Sequence, residues 1–118
     1  MANAALFIGY GPTIPGHAQK PLQVFTEALQ SYARLQQQGQ IESFEPVYLE
    51  PHGGDLAGFI LLRGDREKLN VVRVSEEFSR LTSRASLVVA NVGIVSAYVG
   101  EEMNTLFQSF AAQASELD

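Results

Sequence analysis

Two repeating patterns of apolar residues run along the chain, and they predict a series of strands and helices. Residues 4–10 are an apolar run followed by a Gly-Pro pair, which is typical of the end of a buried strand. Pro21 stands where the first turn of a helix tolerates proline. From Leu22 to Ala33 apolar residues recur at steps of three and four, and Gly39 is a stop signal. We therefore expect an amphipathic helix between Pro21 and Gly39.

The middle of the chain has the pattern of a β-hairpin. Residues 41–49 are rich in β-forming side chains but contain Pro46, which lacks the N–H that an interior strand donates, so this strand should lie at a sheet edge. Residues 50–55 are dense in turn-forming types, and residues 56–63 contain an apolar run typical of a strand buried on both faces.

The last third of the chain predicts further helices and one long strand. Asp65 should cap a helical region whose apolar period breaks near Val74, which indicates two short helices or one kinked helix. Residues 87–99 give the longest strand pattern, with Gly93 as a bulge or bend, and part of it should pair or pack beyond its own sheet. Gly100 should end this strand, and Glu101 and Glu102 suit the N-terminus of a final amphipathic helix.

The predicted order, β-α-β-β-α-β-α, is that of a single ferredoxin-like α+β domain spanning residues 1–118, with a four-stranded antiparallel sheet and an added C-terminal helix. Strands three and four are apolar in both alternating positions. Helices cover only one face of such a sheet, so the other face needs an apolar partner. The simplest partner is a second copy, and we expect a homodimer that packs sheet against sheet.

Composition narrows the classes of function. The chain has no cysteine and two histidines, so disulfides, thiolate catalysis and Cys-based metal sites are excluded, and we expect neither a metal nor a cofactor. A net charge of −5 gives no reason to expect nucleic acid or an anionic membrane as a partner. The first residues lack a basic leader pattern and no apolar stretch approaches the length of a membrane span, which predicts a cytoplasmic location.

Three segments carry a resemblance to a known group of proteins: Leu6-Phe-Ile-Gly-Tyr-Gly, residues 44–64 and residues 87–100. In these segments the chain resembles the dimeric α/β-barrel superfamily, in which two ferredoxin-like protomers pack sheet against sheet. That superfamily includes cofactor-free monooxygenases, lactone isomerases, polyketide cyclases, haem-degrading enzymes and proteins of no known activity. The resemblance implies the fold and the dimer. No catalytic set of those enzymes maps onto this sequence residue by residue.

The candidate acid/base group is His52, in the turn Pro51-His-Gly-Gly-Asp55. Asp55 could orient the imidazole and set a tautomer suited to general base chemistry. The alternative is a structural hairpin turn in which Asp55 bonds its own backbone. We expect any site to lie where the end of strand one, the loop that follows it and this turn approach one another.

Further polar and aromatic residues are candidates for ligand binding. Asn91 and Glu45 interrupt apolar strands and Arg63 ends one. If these side chains face the space between the two sheets of the dimer, they could be the few convergent polar groups of an apolar pocket; solvation at a sheet edge explains Glu45 equally well. Tyr10 and His17 lie at the end of strand one and in the loop after it. Tyr10, Tyr48 and Tyr98 are either core or rim aromatics or pocket-lining residues.

Two functional classes remain open. In the first, an apolar cavity between sheet and helices binds a small organic molecule, with or without cofactor-free catalysis of the monooxygenase, isomerase or cyclase type. In the second, side chains fill the cavity and the dimer is a non-catalytic structural or interaction module.

Overall fold

Eight regular elements build the protein, and the computed structural model describes them over residues 3–16 and 19–117. In chain order they are β1 (Ala4–Tyr10), α1 (Lys20–Gln37), β2 (Ser43–Tyr48), β3 (Gly58–Gly64), α2 (Arg66–Arg73), α3 (Glu76–Ser86), β4 (Gly93–Ala97) and α4 (Gly100–Leu117).

The four strands form one sheet in the order β2-β3-β1-β4, and every neighbouring pair is antiparallel. With the intervening helices this is the ferredoxin-like arrangement, so the predicted fold is confirmed. The strand that carries Pro46 is an edge strand, as the missing N–H requires, and Pro46 pairs with Ile60 of β3.

Local capping explains why the helical region after β3 divides in two. The Asp65 side chain accepts a hydrogen bond from the backbone N–H of Lys68 at 3.2 Å and begins α2. The Ser75 hydroxyl accepts one from the N–H of Phe78 at 3.2 Å and begins α3. The predicted break near Val74 is therefore confirmed as a second helix start.

The predicted long strand over residues 87–99 is wrong in its length, because β4 spans only Gly93–Ala97. The chain bends at Asn91, whose φ is +57°, while Gly93 pairs within the sheet opposite Gly9. Before the bend, Val89 forms an isolated bridge with Thr13, so part of the run does pair outside its own sheet. An apolar run predicts burial, but before the bend only Val88 is buried, and Leu87 is 72% exposed.

Alternate residues of the strands face opposite sides of the sheet. Leu6, Ile8, Ile60 and Leu62 belong to the main core, which they share with residues of α1, α2 and α3. The other side, here called the open face, carries Phe7, Phe59, Leu61 and Val95. The rings of Phe7 and Phe59 pack there with centroids 5.0 Å apart, and Val95 is 56% exposed.

The last helix stands apart from this core. None of the residues described in α4 is buried. The radius of gyration is 16.3 Å, whereas a compact chain of this length has about 13.5 Å. The longest dimension of the molecule is 55 Å.

Candidate functional site

A cavity of about 900 Å³ lies between the sheet and the helices α1 and α3. The sheet contributes Ile8 and Ile60, and the loop from Tyr48 to Ala57 forms part of its border. The apolar side chains that line its interior include Val24, Phe25, Leu81, Ala85, Val88 and Val92. The cavity expected from the sequence between sheet and helices is thus present.

Gly11 lets two loops approach each other at one end of the cavity. Its N–H donates to the carbonyl of Ala90 at 2.7 Å. A Cβ at position 11 would lie 2.8 Å from that oxygen and 2.9 Å from the carbonyl oxygen of Asp55. A residue with a side chain would therefore separate the β2–β3 loop, the segment before β4 and the end of β1.

Tyr32 is the buried polar group of the cavity lining. Its side chain comes from α1, is 3% exposed and packs against the ring of Phe44 at 6.1 Å. Within the described chain its hydroxyl has no hydrogen-bond partner. Every described side-chain nitrogen or oxygen that is inaccessible to solvent does have a partner, so this hydroxyl is accessible. The hydroxyl therefore meets open space in the cavity that Tyr32 lines.

Burial raises the pKa of Tyr32 well above its ordinary value, so the hydroxyl remains protonated over the physiological range. A protonated phenol donates one hydrogen bond, and the Tyr32 hydroxyl keeps accessible surface without an acceptor in the described chain. The arrangement suits a bound molecule that supplies an acceptor.

Two further tyrosines lie at the border of the cavity. A Cβ on Gly58 would overlap the Tyr10 hydroxyl, and the Tyr10 ring meets Phe25 edge-on with centroids 6.2 Å apart. Burial, and secondarily the nearby Tyr48, raise the pKa of Tyr10. The Tyr10 hydroxyl is therefore a neutral donor beside an apolar space, and the Tyr48 side chain lines the same border.

The imidazole of His52 is bonded to the backbone of its own loop. Its Nε2 lies 2.8 Å from the carbonyl of Leu56, and its Nδ1 accepts the N–H of Gly54 at 3.3 Å. These partners place the proton on Nε2. No bond joins the His52 and Asp55 side chains in the described residues, so the expected orientation of the ring by Asp55 is not what the structure shows. The ring is thus bonded within its own turn, and the Asp55 side chain makes no bond to its own backbone in the described residues.

The structure separates the predicted site residues into groups. Tyr10, His52 and Asp55 border one cavity, as expected for the strand end and the turn. Glu45 and Arg63 form an ion pair of 3.0 Å on the open face, on the other side of the sheet. His17 lies outside the described residues.

Asn91 was expected to interrupt a buried strand, and that expectation is wrong. It is exposed and occupies the left-handed conformation of the bend, which asparagine tolerates better than most residues. Its amide nitrogen lies beside Gly11, 3.1 Å from where a Cβ would stand. Asn91 therefore shapes the bend.

The sequence reasoning missed Tyr32, which it counted only as part of an apolar helix face. The available signal was its hydroxyl: a tyrosine on the buried stripe of a helix carries a polar tip that needs a partner. Over the described residues no cluster of His, Asp or Glu is arranged to hold a metal ion. None of the described helices is long and apolar enough to cross a membrane.

Comparison with known proteins extends the fold assignment. No protein-family model matches the chain, and no curated protein matches it. A DABB family protein with a ferredoxin-like fold from Mesorhizobium loti has a TM-score of 0.64 at 10% identity, over 82% of this chain and 96% of its own. A dimeric ferredoxin-like protein of unknown function from Bacteroides fragilis has a TM-score of 0.60 at 9% identity, over 82% and 97%.

A third similar structure is SnoaB, a cofactor-independent oxygenase from Streptomyces nogalater, with a TM-score of 0.51 at 14% identity over 84% of this chain and 97% of its own. At these identities the likeness concerns the fold. The chain therefore has the ferredoxin-like fold that these dimeric and DABB-type proteins share.

Proposed function

We propose that the protein binds a small, uncharged and largely apolar organic molecule in the cavity between the sheet and α1 and α3. The observation that carries this proposal is Tyr32, a buried residue that lines an apolar cavity of about 900 Å³ and whose hydroxyl keeps some accessible surface and has no partner in the described chain. Ligand sites typically combine apolar walls with a few placed polar groups. Tyr32 would donate its hydrogen bond to an acceptor such as a carbonyl or ether oxygen.

The charges around the cavity support an uncharged ligand. None of its described lining residues is a lysine or an arginine, so no cation is present to pair with a carboxylate or a phosphate. The ionisable side chains of the β2–β3 loop, Glu50, His52 and Asp55, are exposed at the border. An anion would therefore lose its hydration without gaining a partner.

The first test compares two neutral probes, 2-acetylnaphthalene, which accepts a hydrogen bond, and naphthalene, which does not. In the wild type the ketone should bind more tightly by about two- to tenfold, because one hydrogen bond contributes about 0.5–1.5 kcal/mol. Tyr32→Phe should remove this preference while retaining the binding of naphthalene. Titration calorimetry of both probes measures the difference.

Tyr98→Phe is the matched control, since Tyr98 is 52% exposed and does not line the cavity. It should keep the preference for the ketone. The role of Tyr32 is wrong if Tyr32→Phe keeps the preference as well, and the cavity proposal is wrong if neither probe binds to the wild type.

Catalysis without a cofactor, of the monooxygenase, isomerase or cyclase type, is the finer form of this proposal. It is supported by the fold shared with SnoaB, itself described as a cofactor-independent oxygenase. His52 and Asp55 would be the catalytic residues, and His52 would have to release the Gly54 N–H before its Nδ1 could accept a proton from substrate.

A homodimer formed through the open face is the second part of the proposal. Phe7, Phe59 and Leu61 lie there only partly buried, and the Glu45–Arg63 pair provides both signs of charge on the same face. A non-catalytic dimeric module remains the alternative function, and it predicts that no probe binds in the cavity. The cytoplasmic location and the absence of a nucleic-acid partner stay predictions.

A further inference from the structure

The C-terminal helix carries an apolar stripe that the described chain leaves uncovered. Phe107 is 63% exposed and Phe110 is 71% exposed, and they follow one another at helical spacing. Met103, Leu106 and Leu117 continue the stripe and are exposed too. A helix of this length is marginal in water without a packed apolar face, so the stripe calls for a partner.

The base of α4 is held firmly to the sheet. The Arg66 guanidinium donates two hydrogen bonds to the Glu102 carboxylate, at 2.7 and 2.9 Å. It also donates to the backbone carbonyls of Ala5, at 3.0 Å, and Ala97, at 2.9 Å. Because the first turn is tied to two strands and to α2, the helix presents its stripe from a defined position.

We infer that the α4 stripe and the open face form one interface, which a second copy of this chain covers. This inference rests on the proposed open-face dimer and adds α4 to it. Val95, Tyr98 and Met103 are all exposed and lead from the sheet into the helix, so the apolar surface continues along the chain. The contact of α4 with the sheet is to the central strand β1.

The areas of the open face and of the α4 stripe support a single interface that includes both. Four strands about 4.8 Å apart and about 20 Å long give the sheet a footprint of about 380 Å². A standard stable interface buries about 800 Å² on each partner. An 18-residue helix is about 27 Å long and about 10 Å wide, which adds about 270 Å². Both footprints are flat projections, which the accessible surface of the side chains exceeds, so the sheet and the helix together offer an area of the standard size.

The charge of α4 argues against a lipid surface as its partner. The helix contains Glu101, Glu102 and Glu116 and no lysine or arginine, whereas helices that bind anionic membranes carry basic residues on their polar face.

The test places charge in the stripe and measures self-association of the full chain by sedimentation velocity. The double variant Phe107→Glu/Phe110→Glu should weaken the dimer at least about 100-fold and leave a 12.9 kDa monomer at micromolar concentration. The control Thr105→Glu/Gln108→Glu adds the same charge at the same spacing on the polar side of α4 and should remain dimeric.

Two further variants distinguish a misfolded stripe variant and an absent open-face dimer from a failure of the inference itself. Cooperative unfolding shows whether Phe107→Glu/Phe110→Glu is folded. If it is not, Phe107→Ala/Phe110→Ala takes its place and should weaken the dimer about tenfold. Leu61→Glu on the open face tests the proposed dimer by itself. The inference is overturned if Leu61→Glu dissociates the dimer while the stripe variants do not. A wild-type monomer overturns both the inference and the proposed dimer, and leaves the cavity proposal standing.

Discussion

Single residues decide the shape of the cavity border, and Gly58 is the clearest example. A Cβ there would overlap the Tyr10 hydroxyl and lie 2.6 Å from the carbonyl oxygen of Val47. The backbone oxygen cannot move without disturbing the β2–β3 pairing. Glycine at this position therefore allows Tyr10 to lie flat across β3 beside the cavity.

Gly58→Ala should lower the free energy of unfolding by about 1–3 kcal/mol, because the added methyl group overpacks a site bounded by backbone. Gly64→Ala is the control on the same strand, since its Cβ would meet nothing closer than 3.4 Å. Urea unfolding of both variants measures the difference. Equal stability of the two variants would show that Tyr10 moves away without cost.

His52→Ala tests whether the turn histidine is structural. The variant loses the bonds to Gly54 and Leu56, so the melting temperature should fall by a few degrees while binding of 2-acetylnaphthalene is retained. Thermal unfolding with and without the probe measures both effects. An unchanged melting temperature together with lost binding or lost activity would instead support the acid/base role.

At the scale of elements, the sequence predicted what local chemistry determines. Pro46 identified the edge strand, and the change of apolar period near Val74 indicated two helices or a kinked one, because each signal acts within a few residues. The length of β4 could not be predicted from such local signals. Val88, Val89 and Val92 line the cavity, and the backbone of Val88 and Ala90 bonds to the loop after β1. Only the folded chain reveals the bend at Asn91.

Part of the candidate site could be predicted from the sequence, and part could not. The sequence predicted that any site would lie where Tyr10 and the His52 turn approach each other, and both border the cavity. Glu45 and Arg63 required knowledge of the strand register, which places them on the opposite side of the sheet. Tyr32 can be recognised as a candidate binding group only once the folded chain shows the cavity that it lines.

The contact between α2 and α4 makes stability depend on pH. The hydrogen bond from Arg66 lowers the pKa of Glu102 in the folded protein. A lowered carboxylate pKa stabilises the fold above the ordinary titration near about pH 4, and this contribution is lost as the pH falls through the lowered pKa. Glu102→Gln should therefore lower the melting temperature at neutral pH, with the difference from wild type shrinking in acid.

Glu101→Gln is the control for that measurement, because Glu101 lies in the same turn, is exposed and forms no ion pair in the described residues. Its melting temperature should track that of the wild type across the whole series. A Glu102→Gln difference that stays constant from neutral pH into acid would show that the carboxylate charge is not what stabilises the base of α4.

At the scale of the whole molecule, the fold separates two kinds of surface. One side of the sheet, with α1 and α3, encloses the cavity, and the other side carries the open face. The α4 stripe lies outside the core. Ligand binding and self-association can therefore be changed independently, and a substitution that abolishes one is expected to leave the other intact.

The most direct test of the account fills the cavity. Ala85 lines it from α3, and Ala85→Phe should occupy the space that a ligand would take, whereas Ser83→Phe adds the same ring to the exposed side of the same helix. Calorimetric titration with 2-acetylnaphthalene should show binding weakened at least about tenfold by Ala85→Phe and unchanged by Ser83→Phe. Unchanged affinity in a folded Ala85→Phe variant would contradict the claim that this cavity is the binding site.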